Sequence, residues 1–213
     1  MKESSLYPPI KSWLESLGYT VYAEVFIKES GRTVDVVGIN ETSKQIISVE
    51  LKTAYSGDVQ KQAQFNANLF KSYVAIPNPT KKSFYNRSPF FGLLLVDIAK
   101  GSVEIAFDIS EELKFKPSFE SVKNRLFLNK INQEISAGVE ITKEGLTAYQ
   151  ISLDNVKEFL KQNGPADLKT IVKSVNLHWK NPLVSLRSCL KNDPNCGILI
   201  DSSHHPHKYY LKE

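Results

Sequence analysis

The stretch TVDVVGINETSKQIISVELK, residues 33–52, organises the chain. Two runs of β-forming residues, 33–37 and 46–52, flank a segment that is rich in turn formers. Such runs predict two strands, and the short connection predicts a hairpin whose second strand returns antiparallel to the first. The hairpin would bring Asp35 close to Glu50.

The second strand of this hairpin should carry a polar face. Side chains alternate along a strand, so Glu50 and Lys52 point to one side while Leu51 between them enters the core. Asp35 joins this polar set if the register of the hairpin matches. Two carboxylates and one ammonium would then converge.

Two carboxylates and a lysine at this spacing favour metal-dependent phosphodiester hydrolysis. Mg²⁺ prefers oxygen ligands and commonly takes one or two carboxylates, so Asp35 and Glu50 are the expected metal ligands, with Mn²⁺ as a substitute for Mg²⁺. An ammonium two residues from a ligand can orient the attacking water and stabilise charge on a phosphate, which makes Lys52 a candidate catalytic residue. A solvated strand face with alternating charges is the alternative interpretation.

The flanking segments predict a definite order of elements. Apolar residues recur at helical spacing over 4–17, and residues 19–27 predict a strand. After the hairpin, a helix is predicted over 59–71 and a strand over 72–77. The expected core is therefore α/β, with the order helix, three-stranded meander, helix and strand.

The Asp35-x14-Glu50-x-Lys52 pattern within this order resembles the PD-(D/E)XK nuclease superfamily, although Val34 stands where that family often has proline. The resemblance implies a restriction-endonuclease-like core. It also implies a metal-dependent DNA endonuclease or phosphodiesterase with a role in restriction, repair or mobile elements.

Glu24 and Gln62 are further candidates for this site. A carboxylate in an otherwise apolar strand is costly unless it is paired or binds a metal, and the alternative for Glu24 is an edge-strand charge that faces water. The superfamily often adds an acidic residue from the first strand or helix, which implies Glu24 as a metal ligand. A glutamine soon after Glu-x-Lys also recurs there, which implies that Gln62 is a catalytic residue that binds a phosphate oxygen or a water on the metal, with Gln60 and Gln64 as the next matches. A solvated helix face is the alternative for Gln62.

The sequence predicts three regions. Two further strands between residues 92 and 107 complete a nuclease-like core that is expected to span 1–109. Residues 110–150 are charged and turn-rich, and they predict a connector with one helix over 119–135. Residues 151–213 predict three short helices followed by a hairpin, which resembles a winged helix.

The predicted tail is a candidate DNA-binding element, because winged helices that bind DNA place their third helix in the major groove. That helix would present five polar residues: Lys180, Asn181, Ser185, Arg187 and Ser188. Small winged helices also serve as protein-docking modules, so a protein partner is the alternative. Lys81 and Lys82, after the fourth strand, are candidates for contact with the DNA backbone, with a solvated surface pair as the alternative.

A second resemblance spans most of the chain. The segments Glu50-Leu51-Lys52, Gln62-Ala63, LTAYQ at 146–150 and NGP at 163–165 are together similar to an uncharacterised bacterial family assigned to the PD-(D/E)XK phosphodiesterases. In that family a winged-helix-like tail follows the nuclease core. The family has no assigned substrate, so the resemblance implies the fold more than the biological role.

The composition is that of a globular protein. The chain has 213 residues, of which 41% are hydrophobic, and a net charge of +4. Residues 150–213 hold nine basic and six acidic residues, a mild excess that is compatible with nucleic acid. The two cysteines, the lack of a signal peptide and the lack of a long apolar run predict a reduced, cytoplasmic protein without a membrane partner.

The expected function is Mg²⁺-dependent hydrolysis of DNA, with DNA as the partner and a homodimer as one allowed assembly. The main alternative is a nuclease-like protein that no longer cuts and acts as a DNA-binding or regulatory module. RNA is a third option for the substrate, because no residue excludes it.

Overall fold

The structure is a computed structural model that describes residues 1–79, 85–109, 117–138, 148–193, 196–203 and 205–212. Its contacts divide the chain into two units, Met1–Glu140 and Ile141–Glu213. The division therefore lies at residue 140, whereas the sequence predicted boundaries at 109 and 150.

The first unit is built around a seven-stranded mixed sheet. Its strands are β1 (Thr20–Ile27), β2 (Arg32–Asn40), β3 (Gln45–Leu51), β4 (Lys71–Pro77), β5 (Phe91–Asp97), β6 (Ser102–Phe107) and β7 (Leu126–Phe127). Its helices are α1 (Tyr7–Ser16), α2 (Gly57–Asn66), α3 (Phe119–Arg125) and α4 (Ile131–Glu134), and a 3-10 turn at Glu3–Leu6 precedes α1. The α/β class is confirmed, and so is the predicted order of elements from α1 to β4.

The strand order in this sheet is β6-β5-β4-β3-β2-β1-β7. Strands β3, β4 and β5 run parallel to one another, and the other neighbours pair antiparallel. The crossover from β3 to β4 is made by α2, because parallel neighbours need a connection long enough to return to the starting edge. The β2–β3 hairpin therefore lies in the interior of the sheet and not at an edge.

Helices cover both faces of the sheet near the hairpin. α1 packs Ile10 and Leu14 on one face, in a cluster that includes Leu51 of β3. α2 packs Ala63 on the other face, in a cluster that includes Val74 of β4. Because both faces are covered, Ser48 and Glu50 of β3 are buried as well as its apolar residues.

The ends of α1 follow from local chemistry. A proline stands in its first turn, where backbone N–H groups have no intrahelical partner to lose. The helix ends before Gly18, whose φ of +81° lies in the left-handed region that glycine favours. The turn at Gly18 leads the chain directly into β1.

The single helix predicted over 119–135 is wrong. The chain forms α3, the short strand β7 and α4 instead, and β7 pairs with the outer edge of β1. Leu126 and Phe127 are both buried by this pairing. Residues 117–138 therefore belong to the first unit and do not form a connector.

The second unit combines three helices with a small sheet. The helices are α5 (Ala148–Asn163), α6 (Leu168–Ser174) and α7 (Pro182–Asn192). The strands β8 (Ala166–Asp167), β9 (Ile198–Asp201) and β10 (Lys208–Leu211) form an antiparallel sheet in the order β8-β10-β9. The three helices and the β9–β10 hairpin are as predicted. The two-residue strand β8 was not predicted, because it is too short to show a sequence pattern.

The second unit has its own apolar core, in which Val156, Ile171 and Leu186 are fully buried. Each of these residues comes from a different helix. Among the residues described in both units, no helix is long and apolar enough to cross a membrane.

Candidate active site

Three acidic residues occupy adjacent positions on three consecutive strands. Val36 of β2 pairs with residues of both β1 and β3 in antiparallel register. The positions next to it along the three strands are Glu24, Asp35 and Glu50. The hairpin that was predicted to set Asp35 near Glu50 is confirmed.

The carboxyl group of Asp35 lies where the β2–β3 ladder ends. Its Oδ2 accepts a hydrogen bond from the backbone N–H of Leu51 at 2.7 Å, and its side chain also forms a hydrogen bond with that of Glu50. The Asp35 side chain is 17% exposed. A hydrogen bond between two carboxyl groups requires a proton, so the pair cannot be fully ionised without losing this contact.

Glu50 is buried and held from α2. Its side chain is on the sheet face that α2 covers, and its Oε1 accepts a hydrogen bond from Asn66 Nδ2 at 2.7 Å. Glu50 and Asn66 are each 3% exposed. Asn66 was missed by the sequence analysis because its role depends on the packing of α2 and not on a local pattern.

Burial and mutual repulsion disfavour the charged forms of the two carboxyl groups. Burial, followed by the charge of Asp35, raises the pKa of Glu50 to about 8. Burial also raises the pKa of Asp35, although the Lys52 ammonium and the Leu51 N–H favour its anion. A site of this kind is stabilised by a positive charge placed between the two groups.

Lys52 lies just beyond the end of β3. Its Nζ is 3.9 Å from Asp35 Oδ2 and donates a hydrogen bond to Glu3 Oε2 at 3.0 Å. Burial lowers the pKa of this lysine, but the nearby carboxylates of Asp35 and Glu3 more than offset the effect and the pKa is raised. Lys52 is therefore a protonated, partly buried ammonium at the edge of the acidic pair.

Glu3 was missed by the sequence analysis. It lies in the 3-10 turn before α1, and its side chain is 33% exposed. The 48 residues that separate it from Lys52 carry no periodicity that would predict the contact. The hydrogen bond to Glu3 helps to fix the position of the Lys52 ammonium.

Glu24 belongs to the same electrostatic cluster but is held apart from the pair. Its backbone φ is +51°, a left-handed conformation inside β1, and its Oε1 accepts a hydrogen bond from the Gly138 N–H at 2.9 Å. Burial raises its pKa to about 7, and the charges of Asp35 and Lys52 act on it in opposite directions. The edge-strand charge that faces water, the alternative considered for Glu24, does not describe this partly buried carboxyl group.

The ligand set available to a cation is small. Within the described ranges, no group of three or more His, Cys, Asp or Glu side chains is arranged to hold a metal ion. Asp35 and Glu50 nevertheless satisfy the requirement of Mg²⁺, which often takes only one or two carboxylates and completes its shell with water and phosphate. Burial raises the pKa of both carboxyl groups, and either a proton or a cation would relieve the cost of their charge.

Gln62 lies on α2 beside Glu50. Both residues line a cavity of about 400 Å³, together with Arg32, Thr33 and Asn66. The catalytic role of Gln62 stays a prediction. Arg32 and Thr33, at the start of β2, were not identified from the sequence.

The residues predicted to bind nucleic acid are distributed over two regions. Lys180, Asn181 and Arg187 are exposed at or near α7, and Ser185 is half-buried. Val184, on the same helix, is 69% exposed. Lys81 and Lys82 lie outside the described residues.

Comparisons with known proteins give no family. No protein-family model matches the sequence, and no curated protein matches it. Among solved structures, a protein of unknown function from Silicibacter pomeroyi is 20% identical, with a TM-score of 0.43, over 55% of this chain and 78% of that one. A similarity at this level defines neither a family nor an activity.

Proposed function

We propose that this protein is a metal-dependent nuclease that hydrolyses phosphodiester bonds in DNA. The observation that carries the proposal is the convergence of the half-buried carboxyl group of Asp35 and the buried one of Glu50 with the ammonium of Lys52 at the end of adjacent strands. Carboxylate pairs next to a lysine are suited to a divalent cation and a phosphate.

The architecture supports the same proposal. The order α1, β1–β3, α2 and β4 is the order expected of a restriction-endonuclease-like core, and the three helices and hairpin of the second unit are the order expected of a winged helix. We assign both folds on this basis. The assignment rests on element order and on the site, because no relative of known function supports it.

Asp35 and Glu50 would hold Mg²⁺, which, when bound, supplies the positive charge that polarises a phosphate and lowers the pKa of water. Asn66 holds the Glu50 carboxyl in place through its 2.7 Å hydrogen bond. A ligand that is fixed in this way loses less conformational freedom on binding.

Lys52 would stabilise the negative charge that develops on the phosphate during attack by water. Its ammonium is already protonated and is positioned by Glu3, so no proton has to be gained before it can act. Gln62 would donate a hydrogen bond from its amide to a phosphate oxygen. Both residues therefore position the substrate and stabilise charge rather than transfer protons.

The proposal places the protein in the cytoplasm. Cys189 and Cys196, its two cysteines, are both free thiols in the structure. Free thiols persist where the compartment is reducing.

The test is a cleavage screen of the purified full chain. Single-stranded, double-stranded and branched DNA and RNA are incubated with Mg²⁺, with Mn²⁺ or with a chelator, beside the Asp35→Asn variant. The proposal predicts metal-dependent cleavage of at least one DNA substrate by the wild type and none by Asp35→Asn. Cleavage of RNA alone would reassign the substrate, and equal products from both proteins would indicate a contaminating nuclease.

A nuclease-like protein without activity is the second candidate. Glu3 already neutralises the Lys52 ammonium, and Glu50 is 3% exposed, so the cluster can also be explained as buried polar packing. This alternative predicts that the wild type binds DNA equally well with the chelator and with Mg²⁺, and that no substrate in the screen is cut.

A further inference from the structure

The cavity beside Glu50 contains a cationic side chain that the proposed chemistry does not use. We infer that this cavity binds a backbone phosphate of the nucleic acid and that Arg32 is the residue that recognises it. The inference rests on the proposed function for the identity of the ligand, and it assigns a substrate-binding residue outside the Asp35, Glu50 and Lys52 set.

Arg32 is held in an orientation suited to this role. Its guanidinium carbon lies 4.1 Å from the centroid of the Phe65 ring, so the planar group stacks on a side chain of α2. Stacking leaves the in-plane N–H groups of a guanidinium free to donate, and these groups match two oxygens of a phosphate. In the described part of the chain, no carboxylate forms an ion pair with Arg32.

The other walls of the cavity supply neutral hydrogen-bonding groups. Thr33 offers a hydroxyl group, and Gln62 and Asn66 offer amides. Glu50 is the single carboxylate among the five lining residues. The cavity volume of about 400 Å³ leaves room for a phosphate group together with water.

Glu50 connects the cavity to the proposed metal site. It lines the cavity and also forms a hydrogen bond with the Asp35 side chain. A phosphate in the cavity would therefore lie next to the one that is cut, on the α2 side of the sheet. The substrate strand would run past Glu50 with consecutive phosphates at the cation and at Arg32.

Because the cavity adjoins the proposed metal site, binding of the phosphate and binding of Mg²⁺ are coupled. A divalent cation held by Asp35 and Glu50 would attract an anion in the neighbouring cavity, and a bound anion would attract the cation. Coupling of this kind is reciprocal, so Mg²⁺ should raise the affinity for the phosphate and the phosphate should raise the affinity for Mg²⁺.

The test compares three substitutions in the full chain with a matched control. Arg32→Gln removes the guanidinium, Arg32→Lys keeps the charge without the planar group, and Phe65→Leu removes the stacking surface. Lys61→Gln is the control, because Lys61 lies on α2 with an 82% exposed side chain outside the cavity. The Lys61→Gln substitution removes one positive charge from the same helix and leaves the lining of the cavity unchanged.

Binding is measured by fluorescence anisotropy with a labelled DNA duplex and Mg²⁺, using the Lys52→Ala background to prevent cutting. Arg32→Gln should weaken binding about tenfold, which corresponds to the loss of a charged hydrogen bond, and should lower the magnitude of the salt slope by about 0.9 for one phosphate. Arg32→Lys and Phe65→Leu should show smaller losses, and Lys61→Gln should match the parent. An equal effect of Arg32→Gln and Lys61→Gln would overturn the inference.

A second measurement separates this inference from the proposed nuclease activity. The NMR signal of the Arg32 Nε–H group is followed while inorganic phosphate is added, with and without Mg²⁺. A shift of this signal that is stronger with Mg²⁺ supports the cavity as a phosphate site even if the wild type cuts no DNA. Normal cleavage kinetics in Arg32→Gln together with an unmoved signal would overturn the phosphate site and leave the nuclease proposal intact.

Discussion

Asp35 and Glu50 are an expensive pair of residues for a folded protein to bury. Two carboxyl groups in contact are both desolvated, and the hydrogen bonds from Leu51 and Asn66 compensate only part of that cost. A cation between them would remove the repulsion. At the scale of single residues, the arrangement is more easily explained by function than by stability.

Asn66 provides a direct test of how the pair is supported. Asn66→Ala removes the 2.7 Å hydrogen bond to Glu50, so we expect the free energy of unfolding to fall by about 1–3 kcal/mol and Mn²⁺ affinity to fall roughly tenfold or more. Urea denaturation and calorimetric Mn²⁺ titration measure the two effects.

Asn68→Ala is the matched control for this substitution. Asn68 is exposed and its side chain bonds only the nearby carbonyl of Phe65, so its removal should leave Mn²⁺ affinity unchanged. If both variants lose the same affinity, Asn66 has no special role in holding Glu50.

The candidate site could be predicted in part because its central residues share one hairpin. Asp35, Glu50 and Lys52 are related by strand parity and by a short turn, both of which are local properties of the sequence. Glu3 and Arg32 could not be predicted in the same way, because their contacts depend on how distant elements pack. The left-handed backbone of Glu24 could not be predicted either, because a non-glycine residue rarely adopts it and no local pattern marks it.

The Tyr73 ring of β4 lies over Gly92 of β5, in space that a side chain at Gly92 would occupy. A Cβ at this position would lie 2.5 Å from two carbons of the Tyr73 ring and 2.9 Å from the Phe107 carbonyl oxygen. Tyr73 cannot move away easily, because it is 2% exposed and its hydroxyl group donates a hydrogen bond to Asp108 at 2.6 Å. The close packing of this part of the sheet therefore requires glycine.

We expect Gly92→Ala to lower the free energy of unfolding by about 1–3 kcal/mol, as overpacked cores do. Gly57→Ala is the control, since no heavy atom lies within 4 Å of its Cβ position and its change should stay within about 0.5 kcal/mol. Urea denaturation followed by Trp13 fluorescence in a Trp179→Phe background reports on the first unit, because Trp13 packs against Tyr73. A Gly92→Ala protein as stable as its control would show that the sheet can relax around the methyl group.

The second unit contains a half-buried histidine, His178, that should make its stability depend on pH. Ser152, which is fully buried, accepts the backbone N–H of His178 at 3.1 Å, and its own hydroxyl group lies 2.7 Å from His178 Nδ1. Burial lowers the pKa of His178, which favours the neutral ring in the folded unit. The unfolded chain therefore takes up a proton at a higher pH than the folded unit does.

We expect the second unit to lose stability as the pH falls through the ordinary histidine pKa of about 6.5, because the unfolded state then binds more protons than the folded state. His178→Asn keeps an acceptor for Ser152 but cannot titrate, so it should remove this part of the pH dependence. The effect is measured by denaturation curves at pH values from about 5 to about 8, a range that spans the histidine titration. Unfolding is followed by Trp179 fluorescence in a Trp13→Phe background. An unchanged pH dependence in His178→Asn would assign it to other groups.

The single helix predicted over residues 119–135 was wrong. Apolar residues at helical spacing continue across Leu126 and Phe127, so the local pattern predicts one helix. In the structure these two residues pair with the edge of β1, about 100 positions earlier in the chain, and end α3. The pairing depends on the exposed edge of a sheet that local periodicity does not describe.

The whole molecule divides its proposed tasks between two units. The acidic pair and Lys52 lie in the first unit, while residues 150–213 carry nine basic and six acidic residues. An excess of positive charge favours contact with a nucleic acid backbone. We therefore expect the second unit to contribute to affinity and not to the chemical step.

The double variant Lys180→Gln/Arg187→Gln tests this division in the full chain. If each residue contacts one phosphate, the magnitude of the salt slope for DNA binding should fall by about 0.9 for each contact that is lost, while the rate of cleavage at saturating DNA stays the same. The control is Lys157→Gln/Lys161→Gln on α5, which removes the same charge from another helix. Equal slopes for the wild type and the Lys180→Gln/Arg187→Gln variant would favour a protein-docking role for the second unit.

The central claim is that Asp35 and Glu50 form a cation site next to Lys52, and calorimetric titration with Mn²⁺ tests it most directly. The account predicts that the wild type binds Mn²⁺ and that Asp35→Ala does not, because the substitution deletes an oxygen ligand. It predicts that Lys52→Ala binds at least as tightly as the wild type, because a positive charge 3.9 Å from Asp35 is removed. Equal Mn²⁺ binding by the wild type and Asp35→Ala, or no binding by either, would contradict the account.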